Sequence, residues 1–203
     1  MIVKSKFKIC KRLGSSVFEK CQTQKFALAE ARGGKQRTGR RPRAPSDYGK
    51  QLLEKQRVRY TYGISEKQFA RYVTEATSAR EPAQELLKRL ESRLDNVAYR
   101  LGLAHTRGLA RQLTSHGHLT VNGRRMTIPS HQVRKGDVIA VRDGSKEKGP
   151  FSEAFKERMK GYTPPKWLSF DETKLSAEVI GEPTKENTET NQDLGGVVEF
   201  YNK

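Results

Sequence analysis

The sequence predicts an α+β protein: an N-terminal, mainly helical domain with a basic extended arm, then a helix–turn–helix set on a small sheet, closed by a C-terminal segment. Three observations lead there. Residues 92–117 place apolar side chains at helical spacing in two runs separated by a glycine. Residues 118–141 read as short strands around an Asn-Gly pair. Residues 33–45, GGKQRTGRRPRAP, contain nothing apolar larger than Ala.

Charge narrows the partner. The 203 residues hold 40 Lys plus Arg against 23 Asp plus Glu, a net charge of +17. Residues 1–50 are net +11, residues 51–150 net +9 and residues 151–203 net −3. Such a surface attracts phosphate, through Coulomb attraction and counterion release. A membrane surface is the rival, but no amphipathic helix with a strong apolar face adjoins the charge, and no run of 18 apolar residues is present. The start, MIVKSKFKICKRLG, lacks a secretory apolar stretch, and two cysteines do not make a disulfide scaffold. The chain reads as cytoplasmic, with an organellar source left open.

Four segments follow in order. Residues 1–45 form a basic N-terminal extension with little periodicity. Within it, residues 33–45 are either a solvated linker or an arm against phosphates, and the surrounding charge favours the arm. Residues 46–91 form the helical part of the N-terminal domain. Ser46 caps a first helix, Asp47 favours its positive end, and Leu52, Leu53, Gln56 and Tyr60 follow to Gly63. Ser65 caps a second through Phe69 and Tyr72, and Glu81-Pro82 opens a third with Leu86, Leu87 and Leu90 on one face.

Residues 92–150 form the patterned module. Leu94, Val97, Ala98 and Leu101 make a helix stripe ended by Gly102; Thr106 caps the next helix, with Leu109, Ala110 and Leu113 inward and Gly117 as its stop. His118–Val121 and Val138–Val141 are strands, the second preceded by a Lys135-Gly136-Asp137 turn. Residues 151–203 pack back on the N-terminal helices. They hold a helix near 152–160, a Pro164-Pro165 break, Trp167-Leu168, an acidic loop over 182–193 read as mobile, and a closing strand through Val197, Val198, Phe200 and Tyr201.

The candidate chemistry is binding. Arg93 and Arg100 are seven apart on the first module helix, and Arg107 and Arg111 four apart on the second, so four guanidiniums are expected beside the helix pair. A guanidinium suits phosphate because its planar fork donates two parallel hydrogen bonds. Asn122, Arg124 and Arg125 add donors on a hairpin tip, and His116 lies at a helix end. Among His105, His116, His118 and His131 no metal spacing such as HExxH occurs, and neither a Walker-type loop nor GxSxG is present. The sequence is therefore not read as an enzyme and calls for no cofactor.

At these residues, SRLDNVAYRLGLAHTRGLARQLTSHGHLTVNGRRMTIPSHQVRKGDVIAVRD resembles the RNA-binding module named after ribosomal protein S-four. The module also occurs in pseudouridine synthases and tyrosyl-tRNA synthetases. The flanks RRPRAPSDYGKQLLEKQRVRYTYGISEKQFARY, PPKWLSFD and VVEFYNK are similar to those of the bacterial-type, small-subunit ribosomal S-four family. Arg93-Leu94-Asp95 echoes a catalytic motif of pseudouridine synthases, but no catalytic domain follows, so Asp95 is read as a helix residue.

The resemblance implies a structural constituent of the small ribosomal subunit. It would bind small-subunit ribosomal RNA first, nucleate assembly of the subunit body, neighbour ribosomal protein S-five, affect decoding accuracy and line the mRNA entry path. Carried over by position, it implies RNA contacts from Arg37, Arg40, Arg41 and Arg43 in the arm, Ser46, Tyr48, Lys55, Arg57 and Arg59 on the following helix, and Arg93, Arg100, Arg107, Arg111, His116, Asn122, Arg124 and Arg125 on the module. Some family members bind zinc near the N-terminus through four cysteines. The matching positions here are Phe7, Cys10, Cys21 and Phe26. A structural zinc needs four N or S ligands, so a lost site is expected, replaced by an apolar cluster holding two free, buried thiols.

Overall fold

In a computed structural model, the described residues are 5–32, 46–146, 151, 155, 159, 162–188 and 192–202. They form helices α1 (Lys6–Leu13), α2 (Gln24–Arg32), α3 (Asp47–Tyr62), α4 (Glu66–Thr77), α5 (Pro82–Glu91), α6 (Leu94–Arg100) and α7 (Arg107–Ser115). Strands β1 (Leu119–Val121), β2 (Arg124–Met126) and β3 (Val138–Val141) follow, then a one-turn helix α8 (Asp143–Lys146), strands β4 (Leu168–Asp171) and β5 (Ser176–Val179), and helix α9 (Leu194–Tyr201). The chain divides into two units, residues 1–86 with 191–203, and residues 87–190.

In the first unit, single hydroxyls start the long helices. Ser46 Oγ accepts from the Gly49 amide at 3.2 Å and Ser65 Oγ from Gln68 at 3.4 Å, each satisfying a donor that the first helical turn leaves over. Gly63, at φ 63°, ends α3 in the left-handed conformation that glycine adopts without a Cβ clash. Val58, Phe69, Tyr72, Val73 and Ala76 are buried between the helices.

The closing segment is a helix, not the expected strand. Val197, Val198, Phe200 and Tyr201 also fit a helical face, and Asp193 decides between the two periods: its Oδ1 accepts from the Gly196 amide at 3.0 Å and caps α9. That face packs on α3 and α4, with Phe69 and Tyr201 rings edge to face at 6.1 Å.

In the second unit, α6 and α7 lie on an antiparallel sheet of order β2-β1-β3-β5-β4. Thr106 caps α7 by accepting from Leu109 at 3.1 Å. Asn122 (φ 50°) and Gly123 (φ 77°) make the tight turn that pairs Val121 with Arg124; two successive positive φ angles match the strand twist. Leu119, Val121, Ile139, Val141, Ala177 and Val179 face the helices as alternating residues of their strands. Each fully buried Leu or Val there contributes roughly 1.5–3 kcal/mol.

The β4–β5 hairpin was not anticipated from the sequence. Its turn is held by Asp171, whose Oδ1 accepts from the Thr173 amide at 2.9 Å and from Lys174 at 3.1 Å. Within the acidic loop anticipated over 182–193, residues 185–188 form a turn with Thr188 buried and its hydroxyl donating to Thr184 O at 2.7 Å, while residues 189–191 lie outside the described residues. Phe151, Phe155 and Met159 join the core, while the rest of the helix anticipated near 152–160 lies outside the described residues. Among the described residues no helix is long and apolar enough to cross a membrane.

Candidate nucleic-acid interface

The four module arginines do not stand as an open row. Arg93 is the residue before α6, only 3% exposed, and donates to Asp95 at 3.1 and 3.0 Å. Arg111 reaches across from α7 to the same carboxylate, 2.8 Å from Nε to Oδ2. Asp95 is therefore a helix residue shared by two guanidiniums. A buried carboxylate is tolerable only when its lone pairs are filled in this way.

Arg100 is held likewise. Its Nε and Nη2 each lie 2.9 Å from the carboxylate of Glu91, and Nη2 also donates to Thr188 O at 3.0 Å. Glu91 accepts from Asn96 Nδ2 at 2.8 Å, and Asn96 Oδ1 accepts from Arg107 Nε at 2.9 Å. Arg107 also lies over the Tyr99 ring at 4.3 Å. Arg100, Glu91, Asn96 and Arg107 make one continuous network fixing α5, α6 and α7.

Exposed cations gather instead where α7 meets the β1–β2 hairpin. Arg124 and Arg125 are exposed, and Arg125 donates to the His116 carbonyl at 3.1 Å. That approach needs Gly117: at φ 73°, a Cβ there would lie 2.2 Å from Arg125 Nε. The β1–β3 ladder brings in Arg142, whose amide donates to His118 O at 2.9 Å. Partial burial pushes the His118 pKa down, and the positive charges of His116, Arg142 and Arg125 push it further. Four basic groups thus share one field.

Arg124, Lys135 and Arg142 have no ion-pair or hydrogen-bond partner for their side chains among the described residues. Asn122 does not project its amide outward. Its Nδ2 donates to Asp137 Oδ1 at 2.8 Å and its Oδ1 accepts from Val138 at 2.9 Å, tying the hairpin turn to the loop before β3. Sequence reasoning missed Arg142, because only long-range pairing of β3 with β1 sets it beside His118.

Two family models match this chain. Residues 92–139, from the helix pair through the hairpin into β3, match the S4 domain, and residues 2–93 match the Ribosomal protein S4/S9 N-terminal domain. The chain is 43% identical over 200 residues to the small ribosomal subunit protein uS4 of Halothermothrix orenii, covering 97% of this chain and 96% of that protein. Against uS4 of Acetivibrio thermocellus it is 42% identical with the same coverage, and against uS4 of Roseiflexus castenholzii 43% over 198 residues, again covering 97% and 96%.

The chain belongs to the ribosomal protein S4 family. That family is structural and not enzymatic, and its folded RNA-binding module is here the second unit's helix pair and hairpin.

In this S4-family chain the N-terminal site residues divide. Arg37, Arg40, Arg41 and Arg43 lie outside the described residues. Ser46 is exposed and caps α3, and Tyr48 is 59% exposed with its ring 5.3 Å from Phe200. Lys55 is not on an outer face. It is 8% exposed, with Nζ 2.6 Å from Glu66 Oε1 and 4.7 Å from the Phe200 ring. Arg59 pairs with Glu66 Oε2 at 3.1 Å, while Arg57 donates to Leu13 O at 2.9 Å and pairs with Glu54. These three hold the helices together.

The zinc positions do not fit the metal. Phe7 and Phe26 meet edge to face at 5.4 Å within a cluster that includes Leu13, Val17 and Phe18. The sulfurs of Cys10 and Cys21 are joined in a disulfide, not left as two free thiols. Expecting a reducing compartment argued against that bond, but the turn at residues 15–22 folds the two cysteines onto one another. Two bonded sulfurs and two phenyl rings offer no tetrahedral donor set.

Proposed function

We propose that this chain is a structural protein of the small ribosomal subunit that binds folded ribosomal RNA, with His116, Arg124, Arg125 and Arg142 as the main phosphate contacts of its module. The observation that carries the reading is the gathering of basic side chains just past α7, on β2 and just past β3. The folded backbone fixes where these side chains start, and phosphate contacts of this kind set a protein's register on its nucleic acid. The relatives' names place them in the small ribosomal subunit, and the same setting is proposed here.

The finer role follows from the resemblance. The protein binds small-subunit RNA early, nucleates assembly of the subunit body, contacts ribosomal protein S-five, lines the mRNA entry path and influences decoding accuracy. The basic arm around Arg37, Arg40, Arg41 and Arg43 adds phosphate contacts, as does the exposed start of α3 at Ser46 and Tyr48.

The test is binding of the purified chain to the five-prime domain of small-subunit ribosomal RNA, across a salt series, against a scrambled RNA of equal length. Tight, domain-selective binding that survives moderate salt is expected. Equal and steeply salt-dependent binding to both RNAs would reduce the surface to a non-specific charge patch.

A further inference from the structure

A groove between α1 and α3, within the first unit, belongs to none of the contacts above. It encloses about 420 Å³, in the range of sites that hold small ligands, about 300–1,000 Å³. Its floor is apolar, formed by Ile9 and Leu13 of α1 with Leu52, Leu53 and Tyr60 of α3. Its polar lining is Lys8, Arg12, Gln56 and Arg59, with no acid among the lining residues.

Two of the three charges at its rim are available, while the third, Arg59, pairs with Glu66 Oε2 at 3.1 Å and lies over the Tyr60 ring at 4.8 Å. Lys8 and Arg12 are one helical turn apart, exposed, and their side chains pair with nothing among the described residues. Arg59 is mostly buried, and its Nε is a buried donor without an acceptor. A buried donor left unpaired costs free energy that an incoming acceptor recovers.

We infer that the α1–α3 groove receives one unpaired nucleotide of an RNA strand, its base against Leu52, Leu53 and Tyr60 and its phosphate between Lys8 and Arg12. The inference rests on the RNA-binding reading and adds a second, base-contacting site to it. An apolar floor with an aromatic edge suits a flat base, and the cationic rim suits the phosphate next to it. An acidic peptide would satisfy the rim but leave the apolar floor unfilled.

The experiment uses the full chain and a fluorescent single-stranded hexaribonucleotide, beside a hexamer of the same ribose-phosphate backbone without bases. The intact hexamer is expected to bind about tenfold tighter than the abasic one, since stacking makes up that difference. Lys8→Gln with Arg12→Gln, on side chains that support nothing else, should weaken the intact hexamer by about tenfold. Leu52→Ala should remove much of the preference for bases. Lys67→Gln with Arg71→Gln on α4 removes the same charge elsewhere and should change binding by less than about twofold, within the usual reach of a remote surface charge.

Equal losses in the two double variants, or a base preference that Leu52→Ala leaves intact, would overturn the inference. Displacement of the hexamer by a glutamate decapeptide at similar concentration would also overturn it, in favour of an acidic peptide. Binding to the ribosomal five-prime domain is measured alongside. If that binding is tight while the groove variants behave as the parent, only the groove inference falls. If the parent binds neither RNA, the proposed function falls as well.

Discussion

Glu91 is fully buried at the end of α5, and the guanidinium of Arg100 donates to both of its carboxylate oxygens at 2.9 Å. The same carboxylate accepts from Asn96. Replacing Glu91 by Gln removes the charge and leaves Arg100 facing a neutral amide. Breaking a buried ion pair from one side costs about 3–5 kcal/mol. Urea unfolding of the Glu91→Gln chain should show that loss; a change below about 1 kcal/mol would mean that water already solvates the pair.

Because Asp95 binds Arg93 and Arg111, changing Arg107 and Arg111 together to Glu would set a second carboxylate against Asp95 and disturb the fold itself. A cleaner test of RNA binding is Arg124→Gln, Arg125→Gln and Arg142→Gln together. These exposed side chains make no ion pair among the described residues, so stability should stay within about 0.5 kcal/mol per site. Affinity for the ribosomal RNA domain should fall, and the salt slope should drop by about 0.7–0.9 for each phosphate that the variant no longer neutralises. An unchanged slope would remove this cluster from the RNA-facing surface.

Gly117 links the helix to that cluster. Its φ of 73° disfavours any other residue, and an added Cβ would meet Arg125 at 2.2 Å. Gly117→Ala should cost about 1–2 kcal/mol from the backbone alone and displace Arg125. The discriminating measurement is RNA affinity at a temperature where the variant is still folded: it should fall as in the Arg125→Gln chain.

Local chemistry was legible in the sequence. Ser46, Ser65 and Thr106 cap because a hydroxyl before an apolar period has one job, and Asn122-Gly123 turns because its φ angles are open to few other pairs. What stayed hidden was pairing over distance. Nothing in the spacing of Arg93 and Arg100 tells that Asp95 and Glu91 will occupy them, and nothing next to Arg142 announces His118. The α9 segment failed for another reason: Val197, Val198, Phe200 and Tyr201 fit both periods, and the decision fell to Asp193 and to the glycine at 196, where a Cβ would sit 2.6 Å from Asp193 Oδ2.

The Cys10–Cys21 bond closes a loop of 11-residue separation. A cross-link of that size restricts the unfolded chain by about 3 kcal/mol. Thiol labelling of the non-reduced, denatured chain should find no reactive cysteine. Reduction, or Cys10→Ser with Cys21→Ser, should lower the stability of the first unit while leaving affinity of the second unit's cluster for RNA in place. Two labelled thiols in the untreated protein would mean that the cluster holds free cysteines.

The contacts around Glu66 give the first unit a pH signature with two sides. Burial raises the pKa of Glu66, but hydrogen bonds from Lys55 and Tyr201, with the charges of Lys55 and Arg59, hold it net below its ordinary 4.5. A carboxylate whose folded value is the lower one adds stability above 4.5, and loses it as pH falls through that folded value. Tyr201 is the mirror case. Burial first, then its donated hydrogen bond to Glu66, raise its pKa above the ordinary 10.0, so its contribution is complete below 10.0 and fades as pH rises beyond it. The stability gap between the parent and Glu66→Gln should therefore narrow as pH drops below 4.5, and the gap between the parent and Tyr201→Phe should narrow above 10.0. Urea midpoints for the three chains across that range read both. A Glu66→Gln gap that stays constant into acid would show that Lys55 and Arg59 bind the neutral side chain as well as the charged one, leaving the cation–π contact of Lys55 with Phe200 at 4.7 Å and the packing of α9 as what holds the closing helix to α3.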